Sequence, residues 1–224
     1  MGCTGSKHHA LRQDHAVGSS APPQSHRAPE YDTLFRVAQL PAQCRTATCH
    51  HVYDGDTLTL SNQQRVRLLG VDTPELKQRE PFAQEAKDLT SRLCPPNSTL
   101  YLASGPEAED KYGRLLAVVY VSDTTNNGYI CVNISLVLSG FAGYYSVGPE
   151  LAIKGQLLQA QSQARSSRRG LWSGFTDVQV CATSHGRCFH QRHCEHVAKI
   201  RHLRTLLKSA AMDEGLSSCR DCHA

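Results

Sequence analysis

Three short segments of the chain set carboxylates beside arginines. In Val52-Tyr53-Asp54-Gly55-Asp56-Thr57 two aspartates stand two residues apart. On a strand that spacing points both to one face. Two neighbouring carboxylates repel unless a cation neutralises them. The second segment, Arg65-Val66-Arg67-Leu68-Leu69-Gly70-Val71-Asp72-Thr73-Pro74-Glu75, carries two arginines on a strand and two carboxylates at the turn beyond it. The third, Asp110-Lys111-Tyr112-Gly113-Arg114, is a turn that launches an apolar strand.

If the fold gathers these groups, their chemistry is specific. Asp56 and Asp72 offer hard oxygen ligands, suited to Ca²⁺ or Mg²⁺ rather than Zn²⁺. A backbone carbonyl at the Asp72–Pro74 turn adds another. Arg67 and Arg114 can clamp a phosphate and stabilise the charge that builds on it. Glu75 can polarise a water for in-line attack. A hard metal, two arginines and a base suit phosphodiester hydrolysis. Taken singly, each segment also has a plain structural reading: Asp-Gly is a common turn, and Asp/Arg pairs on strands are often solvated cross-strand pairs.

The elements that must position these groups follow from periodicity. Thr46–Leu60 alternates into a strand pair around Asp54-Gly55-Asp56, and Arg65–Val71 reads as a further strand closed by Pro74. Phe82, Ala86, Leu89 and Leu93 make one apolar face of a helix over Pro81–Leu93. Ser98–Ala103 and Leu115–Val121 read as strands separated by the acidic loop Glu107–Asp110. Ile130–Val132 reads as a short strand, followed by a helix over Asn133–Leu138 that stops at Gly140. Glu150–Arg169 reads as a long helix ending at Gly170, with Trp172 packing that end. The order is α+β with a mostly antiparallel core. It suits a small closed barrel such as an OB-fold.

The run VYDGDTLTL, RVRLLGVDTPEL, PFAQEAKDL, EDKYGRLLAVVYV, ICVNISLVLSGFAGYY, AQSQARSSRRGLW resembles the staphylococcal (micrococcal) nuclease family over about residues 46–173. The order and spacing of the motifs carry the resemblance. It implies a five-stranded OB-fold β-barrel with about three packed helices and a Ca²⁺-dependent endonuclease that cleaves DNA and RNA at the 5′ side of the phosphodiester, on single-stranded or locally open substrate. It also implies roles. Asp56 and Asp72 match the metal carboxylates and Thr73 the backbone-carbonyl ligand. Arg67 and Arg114 match the phosphate-binding arginines, and Glu75 the general base. Arg65 shares a face with Arg67, and only the resemblance selects Arg67. Asp54 matches an acidic position that orders metal-bound water. Tyr144 and Tyr145 lie near the family's base-stacking platform, although residues 146–149 look shortened; core packing is the competing reading. A non-catalytic, membrane-tethered nucleic-acid or protein-interaction module on the same barrel is the alternative function.

Composition sets the flanks apart. Of 224 residues, 24 are Lys or Arg and 20 Asp or Glu, a net charge of +4. Residues 51–175 are balanced at twelve basic and twelve acidic, so the excess lies outside them. That charge alone names no polyanionic partner. No run of about 18 apolar residues exists to form a membrane-spanning helix. The first residues contain no apolar stretch of the kind a secretory signal needs.

The chain divides into a largely disordered N-terminal tail over 1–43, a nuclease-like domain over 44–175 and a Cys/His-rich extension over 176–224. Met1-Gly2-Cys3-Thr4-Gly5-Ser6 fits the acceptor pattern for myristoylation at Gly2, and Cys3 is placed for palmitoylation. Two acyl chains anchor stably where one does not. The expectation is attachment to the cytoplasmic face of a membrane, the plasma membrane, with no obligate protein partner. Five of the ten cysteines follow residue 180. Among them only Cys219 and Cys222 form a clean pair at zinc-ligand spacing, while Cys188 and Cys194 fit poorly. Free or acylated thiols are the competing reading. Val197, Ile200, Leu203, Leu206, Leu207 and Ala210 suggest a basic amphipathic helix over 195–211.

Overall fold

The computed structural model describes residues 33–145 and 149–222. Gly2 and Cys3 lie outside the described residues, as does most of the N-terminal tail.

A five-stranded barrel forms the body. Its strands are β2 (Arg45–Val52), β3 (Thr57–Leu60), β4 (Arg65–Leu68), β6 (Thr99–Glu109) and β7 (Leu115–Asp123). Before them comes β1 (Arg36–Val37), and between β4 and β6 lie β5 (Val71–Asp72) and α1 (Ala83–Leu93). Pairing runs β6-β2-β3-β4-β7, and β7 pairs back onto β6 to close the ring. Closure leaves no open edge on the barrel itself. All neighbours are antiparallel except β4 and β7, which are parallel with Val66 opposite Leu115 and Arg67 opposite Leu116. Alternation fills the interior: Leu58, Val66, Leu68, Leu100, Leu102, Ala117 and Val119 are fully or almost fully buried.

Three helices pack on the barrel. α1 buries Ala83, Ala86, Leu89 and Thr90. β8 (Gly128–Cys131) leads directly into α2 (Val132–Leu138), which is buried along its whole length. Asn133 on α2 ties two strands together: its side-chain oxygen accepts from Val119 N at 2.9 Å and its amide donates to Leu69 O at 2.8 Å. Gly140 ends the helix at φ 78°, and a Cβ there would stand 2.3 Å from Arg169 O, so both conformation and space require glycine. After β9 (Gly143–Tyr144) comes α3 (Lys154–Ser166). This helix starts later than the sequence pattern suggests, because Leu151 and Ile153 are spent in a turn that buries them against the barrel.

The N-terminal boundary also differs from the expected one. β1 pairs antiparallel with β8, Arg36 opposite Ile130, and Arg36 is held by Asp123 at 2.8 Å. Leu34, Phe35, Val37 and Leu40 pack on the core. Residues 33–43 therefore belong to the barrel rather than to a disordered tail, because their apolar side chains have a sheet edge to cover.

The extension is a four-stranded sheet. β10 (Gln179–Ala182) pairs with β11 (Cys188–His190) and β12 (Arg204–Leu207), and β13 (Ser217–Ser218) lies parallel to β11. The amphipathic helix expected over 195–211 does not form. Residues 204–207 instead complete a backbone ladder with β10, and helix is confined to α4 (Lys208–Asp213). Asp177 starts α4 by accepting from Ser209 N at 2.9 Å and Ser209 Oγ at 2.5 Å. Ile200 and Leu207 stay exposed, so the periodic apolar positions do not share one buried face. Tertiary strand pairing overrides the local pattern here. Among the described residues no helix is long and apolar enough to cross a membrane.

Candidate active site

The connection from β2 to β3 is where the first acidic segment falls. It folds back tightly: Tyr53 N and Asp54 N both donate to Thr57 O, at 2.9 and 3.2 Å. Gly55 sits at the base of this loop, against α1 and the Thr73 side chain. A Cβ at that position would meet Ala86 Cβ at 2.7 Å and Thr73 Cγ2 at 2.8 Å. Thr90 Oγ1 donates to Gly55 O at 2.6 Å and locks the approach. The Asp-Gly pair is therefore a close-packing device and not just a turn signal.

This clamp delivers Asp56 to the second acidic segment. Asp56 is buried, 6% exposed. Its Oδ1 accepts from Thr57 Oγ1 at 3.1 Å and its Oδ2 from Thr73 N at 3.1 Å. Oδ2 also meets Arg67 Nη1 at 3.0 Å. Arg67 Nη2 reaches Asp72 Oδ1 at 3.0 Å, while Nη1 also donates to Leu68 O at 2.9 Å and Val71 O at 2.7 Å. One guanidinium thus bridges Asp56 and Asp72, with Thr73 stitched to the same carboxylate. Asp72 itself stands on β5, opposite Gly143 of β9.

Negative charge is in excess. Asp54 Oδ1 accepts from Asp56 N at 3.3 Å, and the Asp54 carboxyl is pushed up to about 6. Burial is the main cause, followed by the charge of Asp56; Glu75 adds a smaller push. Asp72 is open to solvent on one side, its side chain 62% exposed. The protein crowded against its other side still shifts it upward; Arg67 pulls the other way, and Asp56, Glu75 and Glu80 push again. Three aspartates gathered around one bridging guanidinium leave negative charge that a cation would neutralise. Their hard oxygens suit Ca²⁺ or Mg²⁺.

Glu75 is exposed on the rim and bounds an open cleft of about 250 Å³ together with Tyr53, Asp54, Leu76 and Lys77. Its backbone N–H donates to Glu80 Oε2 at 2.7 Å, which fixes the turn that carries it. Tyr53 is a member of this site that the motifs do not reveal. It is 41% exposed, with Arg65 at 5.1 Å and Lys77 at 5.8 Å from its ring centre. The available signal is an aromatic residue inserted directly before the acidic pair.

Arg114 is held differently. Asp110 accepts from its Nε at 2.7 Å and from its backbone N at 3.0 Å. Asp110 is partly buried, which raises its pKa, but these bonds and the Tyr112 N–H outweigh that and hold it below the usual carboxylate range. Arg114 lies immediately before β7. Continuing the β4–β7 register puts it on the outward face shared by Arg65 and Arg67. It faces the same way as Arg67 but makes no ion pair with Asp56 or Asp72 among the described residues.

Tyr144 and Tyr145 part company. Tyr144 packs partly on the core, and its N–H donates to Gln161 Oε1 at 2.8 Å. Tyr145 N donates to Gly70 O at 3.1 Å, and its hydroxyl accepts from Arg220 Nη2 at 2.7 Å.

Residues 65–174 match the family described as "Staphylococcal nuclease homologue". Asp54 and Asp56 fall before that span, and the loop geometry above is what joins them to it. Among similar proteins, the thermonuclease of Staphylococcus hyicus is 33% identical over 129 residues, 54% of this chain and 72% of that protein. The thermonuclease of Staphylococcus intermedius is 31% identical over 148 residues, 63% of this chain and 84% of that one. Endonuclease YncB of Bacillus subtilis (strain 168) is 26% identical over 186 residues, 77% of this chain and 85% of that one. With the barrel closed in the expected order and relatives of this coverage, the chain belongs to the staphylococcal nuclease homologue family.

Proposed function

We propose that this chain is a Ca²⁺-dependent endonuclease that hydrolyses phosphodiester bonds of DNA and RNA, preferring single-stranded or locally opened regions. A nuclease hydrolase of the staphylococcal type agrees with the family and with relatives named thermonuclease and endonuclease. The observation that carries the proposal is the convergence of Asp56 and Asp72 on Arg67, with Thr73 N–H donating to the same Asp56 carboxylate.

Asp56 and Asp72 would hold the ion, with the Thr73 carbonyl, and Asp54 would orient water around it. The bound cation supplies positive charge against the phosphate. Arg67 then turns part of its fork from carboxylate to phosphate oxygen, and Arg114 joins it by giving up contact with Asp110. Both guanidinia stabilise charge that grows as the phosphorus becomes five-coordinate. Glu75 takes the proton of the attacking water from its exposed place on the cleft wall, the bond from phosphorus to the 5′ oxygen breaks, and that oxygen leaves taking a proton from solvent.

Plasmid DNA and RNA should be cut with millimolar Ca²⁺ and remain whole with EGTA. Glu75→Gln should lower turnover by roughly 10²–10⁴ while retaining nucleotide bisphosphate binding. Substrate that stays intact in Ca²⁺, or cleavage that ignores the chelator, would refute the proposal. The pattern at Gly2 and Cys3 supports a further part of it, acylation and membrane attachment. Gly2→Ala should then move the protein from the membrane to the soluble fraction; an unchanged distribution would refute this part.

A further inference from the structure

The extension contains a second group of ligating side chains, distant in chemistry from the carboxylate site. His190, Cys194, Cys219 and Cys222 place one nitrogen and three sulfur atoms all within 4.8 Å of one another. Cys194 and Cys219 are buried, and His190 and Cys222 half-buried. We propose that these four residues bind one Zn²⁺ in a closed tetrahedral site that holds the extension together.

The distances fit the ion. Zn–S of about 2.3 Å and Zn–N of about 2.0 Å in a tetrahedron require S···S of about 3.8 Å and S···N of about 3.5 Å. Cys194 Sγ lies 4.0 Å from Cys219 Sγ and 3.4 Å from His190 Nδ1. The Gln191 N–H points at Cys222 Sγ at 3.3 Å, the kind of contact that stabilises a bound thiolate. All nine described cysteines are free of disulfides. Binding releases the three thiol protons to solvent and uses His190 as neutral imidazole.

The sheet builds this site deliberately. β11 and β13 run parallel with Phe189 opposite Ser218, so His190 and Cys219 leave adjacent strands side by side. Cys219 N donates to Phe189 O at 3.0 Å, and a tight turn with Cys194 N on Gln191 O at 3.1 Å brings Cys194 round. The ligand spacing is His-x₃-Cys and Cys-x₂-Cys, both within the range zinc sites use. Cys188, which fits Cys194 poorly in sequence, is replaced by His190 two residues on.

The extension also needs such a staple. Its two apolar clusters bury only Val180, Phe189 and Ala211 in one and Val197 among cysteines in the other. A unit of about 45 residues with so little core commonly relies on metal or disulfides. An overlapping group, His196, Cys219 and Asp221, is a weaker choice, because His196 and Asp221 are exposed and bond to each other. The loop from Cys219 to Cys222 carries Arg220 to the Tyr145 hydroxyl, so a metal there also fixes a contact beside the barrel.

The test is metal analysis of the full chain purified without added metal or chelator. About one zinc per chain is expected, with X-ray absorption showing about three sulfur neighbours near 2.3 Å and one nitrogen near 2.0 Å. Co²⁺ exchange should give the thiolate charge-transfer bands of a tetrahedral site. Cys219→Ser with Cys222→Ser should bring zinc below about a tenth per chain, while Cys188→Ser retains it. The wild-type absorption spectrum decides the matter if the double variant fails to fold. A wild-type chain that takes up neither Zn²⁺ nor Co²⁺, pairs these cysteines as disulfides, or keeps full zinc in a folded double variant would overturn the assignment. No readout involves nucleic acid, so failure of the nuclease proposal leaves the result intact.

Discussion

Replacing Arg67 by Gln should strengthen Ca²⁺ binding and abolish most turnover, two effects of opposite sign from one side chain. The guanidinium occupies the oxygens that the ion needs, at 3.0 Å on both Asp56 and Asp72. The Asp56 arm joins side chains 15% and 9% exposed, and a charge-assisted bond there contributes about 2 kcal/mol. The Asp72 arm ends on an open carboxylate and adds roughly 0.5 kcal/mol after screening. An ion must offset this sum of about 2–3 kcal/mol before it takes both oxygens, which corresponds to a roughly 30–150-fold tightening when the arginine is gone. Gln keeps only the three-carbon stem, and its amide ends about two bonds short of the Nη1 that bonds the Leu68 and Val71 carbonyls, so folding of the variant must be verified. Turnover should nevertheless fall by roughly 10²–10³, since the phosphate loses a positive fork that acts as charge develops. Calorimetric titration with Ca²⁺, with thermal unfolding in EGTA to verify folding, measures the first effect; single-turnover cleavage measures the second. Weaker or unchanged Ca²⁺ affinity in a folded Arg67→Gln chain would show that the ion does not compete for these oxygens.

The remaining predictions concern the scaffold of the same site. Asp54 has a folded pKa of about 6 against an ordinary 3.8, so the folded state holds its proton more tightly. Its contribution is therefore fully favourable below about pH 3.8 and is lost as pH rises through 6. In EGTA, urea unfolding should show Asp54→Asn gaining about 1 kcal/mol over wild type at pH 7.5, after discounting for partial exposure, and little at pH 4; an equal gain at both values would refute the cause. Gly55→Ala forces a methyl to within 2.7 Å of Ala86 Cβ and 2.8 Å of Thr73 Cγ2, so it should cost about 1–3 kcal/mol and weaken Ca²⁺ binding by displacing Thr73. A stable Gly55→Ala chain with normal Ca²⁺ affinity would show that the loop gives way freely. Tyr53→Ala should raise KM several-fold on single strands with kcat nearly unchanged, because the ring lines the cleft and carries no charge to place on the phosphate; a fall in kcat alone would place it in the chemistry instead.

Much of the barrel is legible in the chain because its signals are local. The unbroken apolar run Leu115–Val121, the apolar stripe of α1 and the left-handed Gly140 each state their element within a few residues. The site is less so. The period of two along β4 puts Arg65 and Arg67 on one face, but nothing local says that Arg67 bridges Asp56 and Asp72 while Arg65 turns to Tyr53. That division depends on the turn after β4 and on the loop clamped by Thr90, contacts separated by tens of residues. Arg114 shows the same limit: its bond to Asp110 is a local turn feature, while its common face with Arg67 comes from a parallel pairing that no period reveals. The expected helix over 195–211 fails for the complementary reason. Its apolar spacing is genuine, but β10 offers residues 204–207 a ladder, and the local preference yields.

A chain with both sites would use two cations of different hardness, and the common chelator experiment would confuse them. EDTA removes a hard ion held by carboxylates and also strips a Cys₃His zinc given time. Loss of cleavage in EDTA therefore does not by itself locate the metal. Transfer into a Ca²⁺-free buffer without any chelator should stop cleavage and leave hydrogen exchange of residues 186–194 and 215–222 slow. A soft chelator should do the reverse first: it should speed exchange in those segments and free Tyr145 from Arg220, while the barrel stays protected. The two units are joined by Arg165 of α3, whose Nη2 meets both oxygens of Asp213 on α4 at 2.7 Å. That contact lies outside both metal sites, so it gives no reason for zinc loss to unfold the barrel. Exchange that accelerates throughout the barrel on zinc removal would show instead that the extension is part of one cooperative unit with it.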